Sequence, residues 1–251
     1  MEFEQLNGVL KRYRGDKNEV VIPAGIHTIG DWAFYNCDHL HSVRVTAQIR
    51  RIGNYAFEGC SALRRICLPE QIEKMGDGVF SGCGQIKELQ LPVGVKSLGT
   101  PFLKGCRSLE ELTVPDTTEQ IAKKAFADCA ALKKLHIRMR LVNGLPEEIR
   151  RRAAMTYLTD RVNTSVGCRT DRMAEHYLSV NAEGLARFAA AEGELEVLAA
   201  MQTHQLLPPE LCKKLLEEQG REIRSEVAAF LMDRSRRRRY MDAAAAFEYE
   251  L

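Results

Sequence analysis

A repeat solenoid of short strands joined by short helical or 3-10 turns, followed by an all-α domain of helical hairpins, is the fold class that three features of this 251-residue chain predict. Cys37, Cys60, Cys83, Cys106 and Cys129 stand 23 residues apart without slippage. The apolar positions around them repeat at the same interval. From about Leu145 that period vanishes and apolar residues recur at helical spacing instead. A fixed period of roughly 20 to 50 residues marks stacked supersecondary units, none of which can bury its apolar face alone.

The first element is a cap over residues 1–19. Phe3, Leu6, Val9, Leu10 and Tyr13 fall outside the repeat register, and a terminal repeat needs a cover of this kind. The solenoid follows over residues 20–140. Val20-x-Ile22, Val43-x-Val45, Ile66-x-Leu68, Leu89-x-Leu91, Leu112-x-Val114 and Leu135-x-Ile137 alternate with mostly polar residues, the period-2 signature of a strand with one buried face. Six strands are therefore expected, a stack about 25 Å long at roughly 4.8 Å per strand. Pro23, Pro69, Pro92 and Pro115 come directly after the second apolar residue and end the strand, because proline lacks an N–H and fixes φ. Ile29, Ile52, Met75, Leu98 and Ile121 form a further column, mostly followed by glycine, which suits a tight turn or close backbone approach. Ala33-Phe34, Ala56-Phe57, Val79-Phe80, Phe102-Leu103 and Ala125-Phe126 close each unit with a helical or 3-10 turn that buries an aromatic ring.

The α-helical domain is expected over residues 145–251. Leu145-Pro146-Glu147-Glu148 reads as a helix start, with proline in the first turn and acids near the positive dipole end. Ile149, Ala153, Tyr157 and Leu158 line one face. Asn181 is expected to cap a helix carrying Leu185, Phe188 and Ala189, broken at Gly193. Leu195, Leu198 and Met201 follow, and Pro208-Pro209 opens a helix through Leu211, Leu215 and Leu216. A last helix holds Ile223, Val227, Phe230 and Leu231. The stretch from Leu185 to Leu198 is similar to one ankyrin repeat, with no second clean copy.

The string Ile52-Gly-Asn-Tyr-Ala-Phe-Glu-Gly-Cys-Ser-Ala-Leu-Arg-Arg-Ile-Cys-Leu-Pro69 resembles the BspA-type leucine-rich repeat, a bacterial and protist class with a 23-residue period. The resemblance covers about residues 3–138. It implies a leucine-rich-repeat solenoid that is non-catalytic, and members with known roles are often surface proteins that bind host or bacterial partners. Two features depart from that pattern. The chain opens Met-Glu-Phe-Glu-Gln, without a basic or apolar leader segment, and it continues into helices that the repeat does not explain.

Formal charge is nearly balanced: residues 1–138 carry 19 basic and 16 acidic side chains, and 139–251 carry 17 and 18. No overall attraction to polyanions is advertised, and no apolar run is long enough to span a membrane. The expected address is the cytoplasm, with an extracellular or cell-surface location as the alternative. The repeated cysteines point the same way in one inward column, so buried free thiols acting as small hydrophobes are expected rather than disulfides. No Cys-x-x-Cys pair suggests structural zinc.

No catalytic, cofactor or metal residues are assigned. Gly94 to Gly99 mimics the spacing of a phosphate loop but lacks its lysine, and Gly99 simply fills a repeat column. Cys67 and His136 share the outward column three turns apart, about 14 Å at the strand spacing, too far for a nucleophile and its base. His39 and His41 read as exposed loop residues, and Asn163-Thr-Ser165 as an irrelevant match to a glycosylation acceptor. Arg234, Arg236, Arg237, Arg238 and Arg239 form a basic patch at a helix end, where cations complement the dipole. With one tyrosine and no interleaved aromatics for base stacking, it reads as a solvated or partner-facing edge rather than a nucleic-acid site.

What the solenoid does offer is a grid. Ser42 and Arg44, Arg65 and Cys67, Glu88 and Gln90, Glu111 and Thr113, and Lys134 and His136 are the outward strand positions, changing from basic to acidic to basic along the stack. Rigid elements lower the ordering cost of association, and repeat proteins bind through extended faces. The expected function is a non-catalytic protein-interaction scaffold, with a protein partner engaged through the solenoid face or the helical domain. The alternative is an exported adhesin or effector.

Overall fold

The computed structural model describes residues 2–46, 48–163, 171–219 and 223–235. The chain divides into two compact units, Met1–Ala153 and Ala154–Leu251.

In the first unit the six expected strands form at Glu19–Val21, Ser42–Arg44, Arg65–Cys67, Glu88–Gln90, Glu111–Thr113 and Lys134–His136. Neighbours pair in parallel, shifted by one repeat, so that Val20 faces Val43, Val43 faces Ile66, and Leu112 faces both Leu89 and Leu135. A second parallel ladder, not resolved by period-2 reading, is built from two-residue strands at the isoleucine-glycine columns: Thr28–Ile29, Arg51–Ile52 and Lys74–Met75, then Ser97–Leu98 and Gln120–Ile121. The Ala-Phe segments form hydrogen-bonded turns rather than helices, tied to the neighbouring unit by bonds such as Phe34 N–H to the Ala56 carbonyl (2.7 Å) and Phe57 N–H to the Val79 carbonyl (3.0 Å).

The interior is a set of columns. Phe34, Phe57, Phe80 and Phe102 are fully buried, and the Phe34–Phe57 and Phe57–Phe80 rings stack at centroid distances of 4.9 and 5.8 Å. The cysteine column lies beside them. Four of the five thiols donate to a carbonyl of the preceding turn: Cys60 to Phe34, Cys83 to Phe57, Cys106 to Phe80 and Cys129 to Leu103, all at 3.1–3.2 Å. The thiols therefore stitch adjacent turns as well as filling space, and all five repeat cysteines are free. The column of Ile26, Ile49, Ile72 and Val95 is completed by Thr118, whose buried hydroxyl is satisfied by the Val95 carbonyl at 2.8 Å.

The N-terminal residues form a hairpin, Phe3–Leu6 with Val9–Tyr13, and its second strand pairs with Thr28–Ile29. These residues leave the sequence register yet occupy the structural columns. Leu10 lies opposite Ile29, and the Tyr13 ring packs 5.2 Å from Phe34 at the head of the aromatic column. At the other end a 3-10 turn at Met139–Leu141 follows the last strand, and Arg138 pairs with Asp116 at 2.6 Å.

Close main-chain approach fixes Gly94. A Cβ on Gly94 would stand 2.1 Å from the Ile72 carbonyl oxygen of the preceding turn. Because that obstacle is main chain, Gly94→Ala is expected to lower unfolding free energy by about 1–3 kcal/mol. Thermal melts would register this as a lower midpoint; an unchanged midpoint would mean that the turns separate there at no cost.

Helix α1 spans Glu147–Asn163 and begins where Pro146 and two acids predicted. In the second unit, α2 is Arg172–Glu192, α3 Leu195–Thr203, α4 Pro209–Gln219 and α5 225–235. The Gly193 break holds, with φ of 78° at the end of α2 and its N–H returning to the Ala189 and Ala190 carbonyls. Asn181 is not a cap. It lies inside α2, donating to the Tyr177 carbonyl (2.9 Å), while Asp171 caps the helix by accepting from the N–H groups of Met173 and Ala174 at 3.0 and 3.2 Å. The helix extends upstream because Ala174 and Leu178 continue the buried stripe of Leu185 and Ala189.

Candidate functional site

The ten outward grid residues all stand exposed or half-buried on the strand face, while Val43, Leu89, Leu112 and Leu135 between them are buried. Parallel registry sets them in rows: Ser42 beside Arg65, Arg44 beside Cys67, Glu88 beside Glu111 and Lys134, Gln90 beside Thr113 and His136. His136 and Glu111 meet at 3.0 Å across adjacent strands. Cys67 and His136 lie in different three-stranded sheets, in keeping with the separation expected from the repeat.

The grid is not continuous. No ladder joins Arg65–Cys67 to Glu88–Gln90, so the face is two three-stranded sheets, and the second ladder stops at the same level between Lys74–Met75 and Ser97–Leu98. Elsewhere the bonding is repetitive. The His41 carbonyl accepts from the N–H groups of Arg64 and Arg65, that of Lys87 from Glu110 and Glu111, and that of Glu110 from Lys133 and Lys134, at 2.7–3.2 Å. The Arg64 carbonyl receives neither Lys87 nor Glu88, and the Leu68 N–H does not reach the Gln90 carbonyl as Val45 reaches Cys67 and Leu91 reaches Thr113. The same two turns remain joined at the aromatic corner, by Phe80 N–H to the Phe102 carbonyl (3.1 Å) and Gly82 N–H to that of Lys104 (2.7 Å).

The core changes at this level. In the column of Ala33, Ala56, Val79 and Ala125, the fourth unit places Phe102, and the usual phenylalanine position holds Leu103. A bulky ring in a small-residue column cannot stack as its neighbours do: Phe80 and Phe102 meet edge to face at 88°. The turns stay in contact at that corner and part on the two strand faces.

The result is a cleft of about 640 Å³ lined by Arg64, Arg65, Ile66, Cys67, Gln85, Lys87 and Glu88. Ile66 and Leu68, expected in the core, are only half-buried because no strand covers them. Among the described residues, Arg64, Arg65, Lys87 and the adjacent Arg44 form no ion pair. Cys67 is the exposed thiol among the described cysteines. Sequence reading found Arg65, Cys67 and Glu88 but missed Arg64, Gln85 and Lys87, which lie outside the strand alternation. The signal that marks the level is the displaced Phe102.

The buried thiols are chemically quiet. Burial pushes Cys83, Cys106 and Cys129 up, Cys129 to about 12. His39 stands beside Asp38 at 3.7 Å, and among the described residues no group of three or more His, Cys, Asp or Glu side chains is arranged to hold a metal ion. Arg234 pairs with Asp233 and lies 4.9 Å over the Phe230 ring; Arg236, Arg237, Arg238 and Arg239, like Thr164 and Ser165, lie outside the described residues. In the second unit a hollow of about 160 Å³ is lined by Tyr157, Arg161, Glu175 and His204 among others, with Arg161 paired to Glu175 at 2.6 Å.

The profile of the BspA type leucine rich repeat region matches residues 13–133 in six copies. That stretch belongs to the BspA-type leucine-rich repeat family. Two solved structures agree on the fold. The T. pallidum leucine rich repeat protein TpLRR is 28% identical with a TM-score of 0.51, over 53% of this chain and 64% of that one. The pneumococcal vaccine antigen PcpA is 24% identical with a TM-score of 0.50, over 54% of this chain and 34% of that one. A leucine rich cell surface protein of Faecalibacterium prausnitzii is 31% identical with a TM-score of 0.49, over 51% and 34%. The chain thus spans less than two thirds of the length of these relatives, and no curated protein matches it. Leucine-rich repeat proteins are generally protein-interaction or surface repeat proteins, and their fold is typically non-catalytic. No helix among the described residues is long and apolar enough to cross a membrane.

Proposed function

We propose that this chain is a non-catalytic protein-interaction scaffold that engages a protein partner through the strand face of its BspA-type solenoid. The observation that carries this reading is the registered strand grid: variable polar side chains from Ser42 to His136 stand outward on parallel ladders whose central residues, apart from half-buried Ile66, are buried. Such a surface is ordered before the partner arrives, so association does not have to immobilise it. Mixed charge along the grid steers a partner of complementary pattern. A core spine of thiols suits a reducing compartment, and the cytoplasm is the proposed one.

Crosslinking mass spectrometry on the cytosolic fraction of the native cell tests this directly. Crosslinks from one or a few proteins should concentrate on Lys87, Lys134 and neighbouring strand-face positions. An absence of specific partners at native concentration, or crosslinks confined to residues 154–251, would remove the strand-face reading.

A further inference from the structure

We propose that the cleft between Arg65–Cys67 and Glu88–Gln90 receives an extended acidic segment of a protein partner, which adds its main chain to a free strand edge and sets its carboxylates against Arg64, Arg65 and Lys87. This deepens the scaffold reading and rests on it.

Three observations converge at this level. The first is main-chain valence. The N–H groups of Leu68 and Glu88 and the carbonyls of Arg64 and Gln90 lack the inter-turn partners that equivalent groups have elsewhere in the stack. A strand edge with unmatched donors and acceptors is a template for pairing with another chain. The second is apolar surface. Ile66 and Leu68 are half-exposed where the matching residues Val43, Val45, Leu89 and Leu91 are buried, so a covering strand would recover contact that the next turn of the solenoid does not supply. The third is charge. Three cations and one anion, Glu88, line the cleft, Arg44 adjoins it in the row of Cys67, and none of the four cations is paired with a carboxylate among the described residues.

The combination selects a peptide over other anions. A phosphorylated or sulfated polymer would answer the arginines, but phosphate and sulfate oxygens only accept, and the Arg64 and Gln90 carbonyls need donors. A peptide main chain carries both kinds of group at strand spacing, and its side chains alternate, so carboxylates at every second position meet the basic rim while the intervening residues face Ile66 and Leu68.

The test uses the full chain and a phage-displayed library of random nonapeptides, with the most enriched sequence then synthesised with a fluorescent label. Enrichment of Asp or Glu at alternate positions is expected. Binding by anisotropy should weaken at least tenfold in the double variant Arg65→Gln, Lys87→Gln, while Lys123→Gln, at an exposed position outside the strand grid, binds as the parent does. Alternate N-methylation of the peptide backbone should abolish binding, and bound peptide should slow alkylation of Cys67 severalfold. The proposal is overturned if no peptide is enriched, if enriched peptides ignore the double variant, or if the N-methylated peptide and a heparin-derived octasaccharide bind as well as the selected one. The last result would make the cleft a general polyanion surface. Crosslinks mapping to Glu111, Thr113 and Lys134 alongside a failed peptide selection would retire the cleft and leave the scaffold reading intact.

Discussion

Replacing Cys83 by aspartate is expected to unfold the solenoid at pH 7. Cys83 is fully buried among the aromatic columns, and its thiol donates to the Phe57 carbonyl at 3.1 Å. An aspartate there has two options. Ionised, it is an unpaired charge in an apolar interior, which costs several kcal/mol even after relaxation. Protonated, it can still donate to Phe57, but holding a proton at pH 7 costs about 4 kcal/mol for a group whose unfolded pKa is about 3.9. Either route takes a large share of the roughly 5–15 kcal/mol that holds a domain folded. Cys83→Ser keeps a small donor in place and should cost about 1 kcal/mol. The aspartate penalty has a further signature. Its folded pKa is raised, so the missing stability returns as pH falls toward the unfolded pKa, and the variant should melt closer to the parent at pH 4 than at pH 7. Circular dichroism melts of parent, serine and aspartate forms at both pH values measure this, and equal midpoints at pH 7 would mean that Cys83 does not face the core.

The same inward column explains why so much of the first unit was legible. A strict period forces each residue type to repeat its environment, so strand positions, proline stops, buried rings and free thiols follow from counting. Features without a repeat were harder to see. The two-residue strands of the second ladder are too short to show alternation, and Leu10 and Tyr13 reach their columns across a spacing that differs from the repeat. Asn181 and Asp171 are equally good caps by residue type; the choice fell to the buried stripe that Ala174 and Leu178 extend. The cleft was the least visible feature, because the period runs through residues 65–90 without interruption. Only Phe102 in the alanine column departs from it, and a one-residue exchange of bulk reads as conservative until the Phe80 ring contact turns edge to face. The outward grid was therefore placed residue by residue, but its division into two blocks was not.

Raising the pH should dissolve the solenoid more steeply than ordinary surface titration allows. Burial holds Cys83, Cys106 and Cys129 protonated in the folded state, and Cys60 is raised by its interaction with the Cys37 thiol and then by burial. Cys37 is drawn the opposite way by that same interaction, so well above the unfolded pKa it is ionised in both states and adds no slope there. A thiol whose pKa is higher folded than unfolded lends its full stability below the unfolded pKa, about 8.5. Above that value the unfolded chain releases the proton and the folded chain keeps it, so stability falls by about 1.4 kcal/mol per pH unit for each such group. Four thiols together give a slope of about 5 kcal/mol per pH unit, and for Cys129 the loss continues until its folded value of about 12. Denaturant titrations under reducing conditions should find a nearly flat unfolding free energy from pH 7 to 8.5 and a collapse within the next two units. Cys106→Ser removes one titrating group while keeping a donor for the Phe80 carbonyl, and should make the slope shallower by about 1.4 kcal/mol per unit. If the serine variant retains the parent slope, alkaline loss of stability arises outside the thiol column. In that case the cysteines stitch the turns through their hydrogen bonds without coupling the fold to pH.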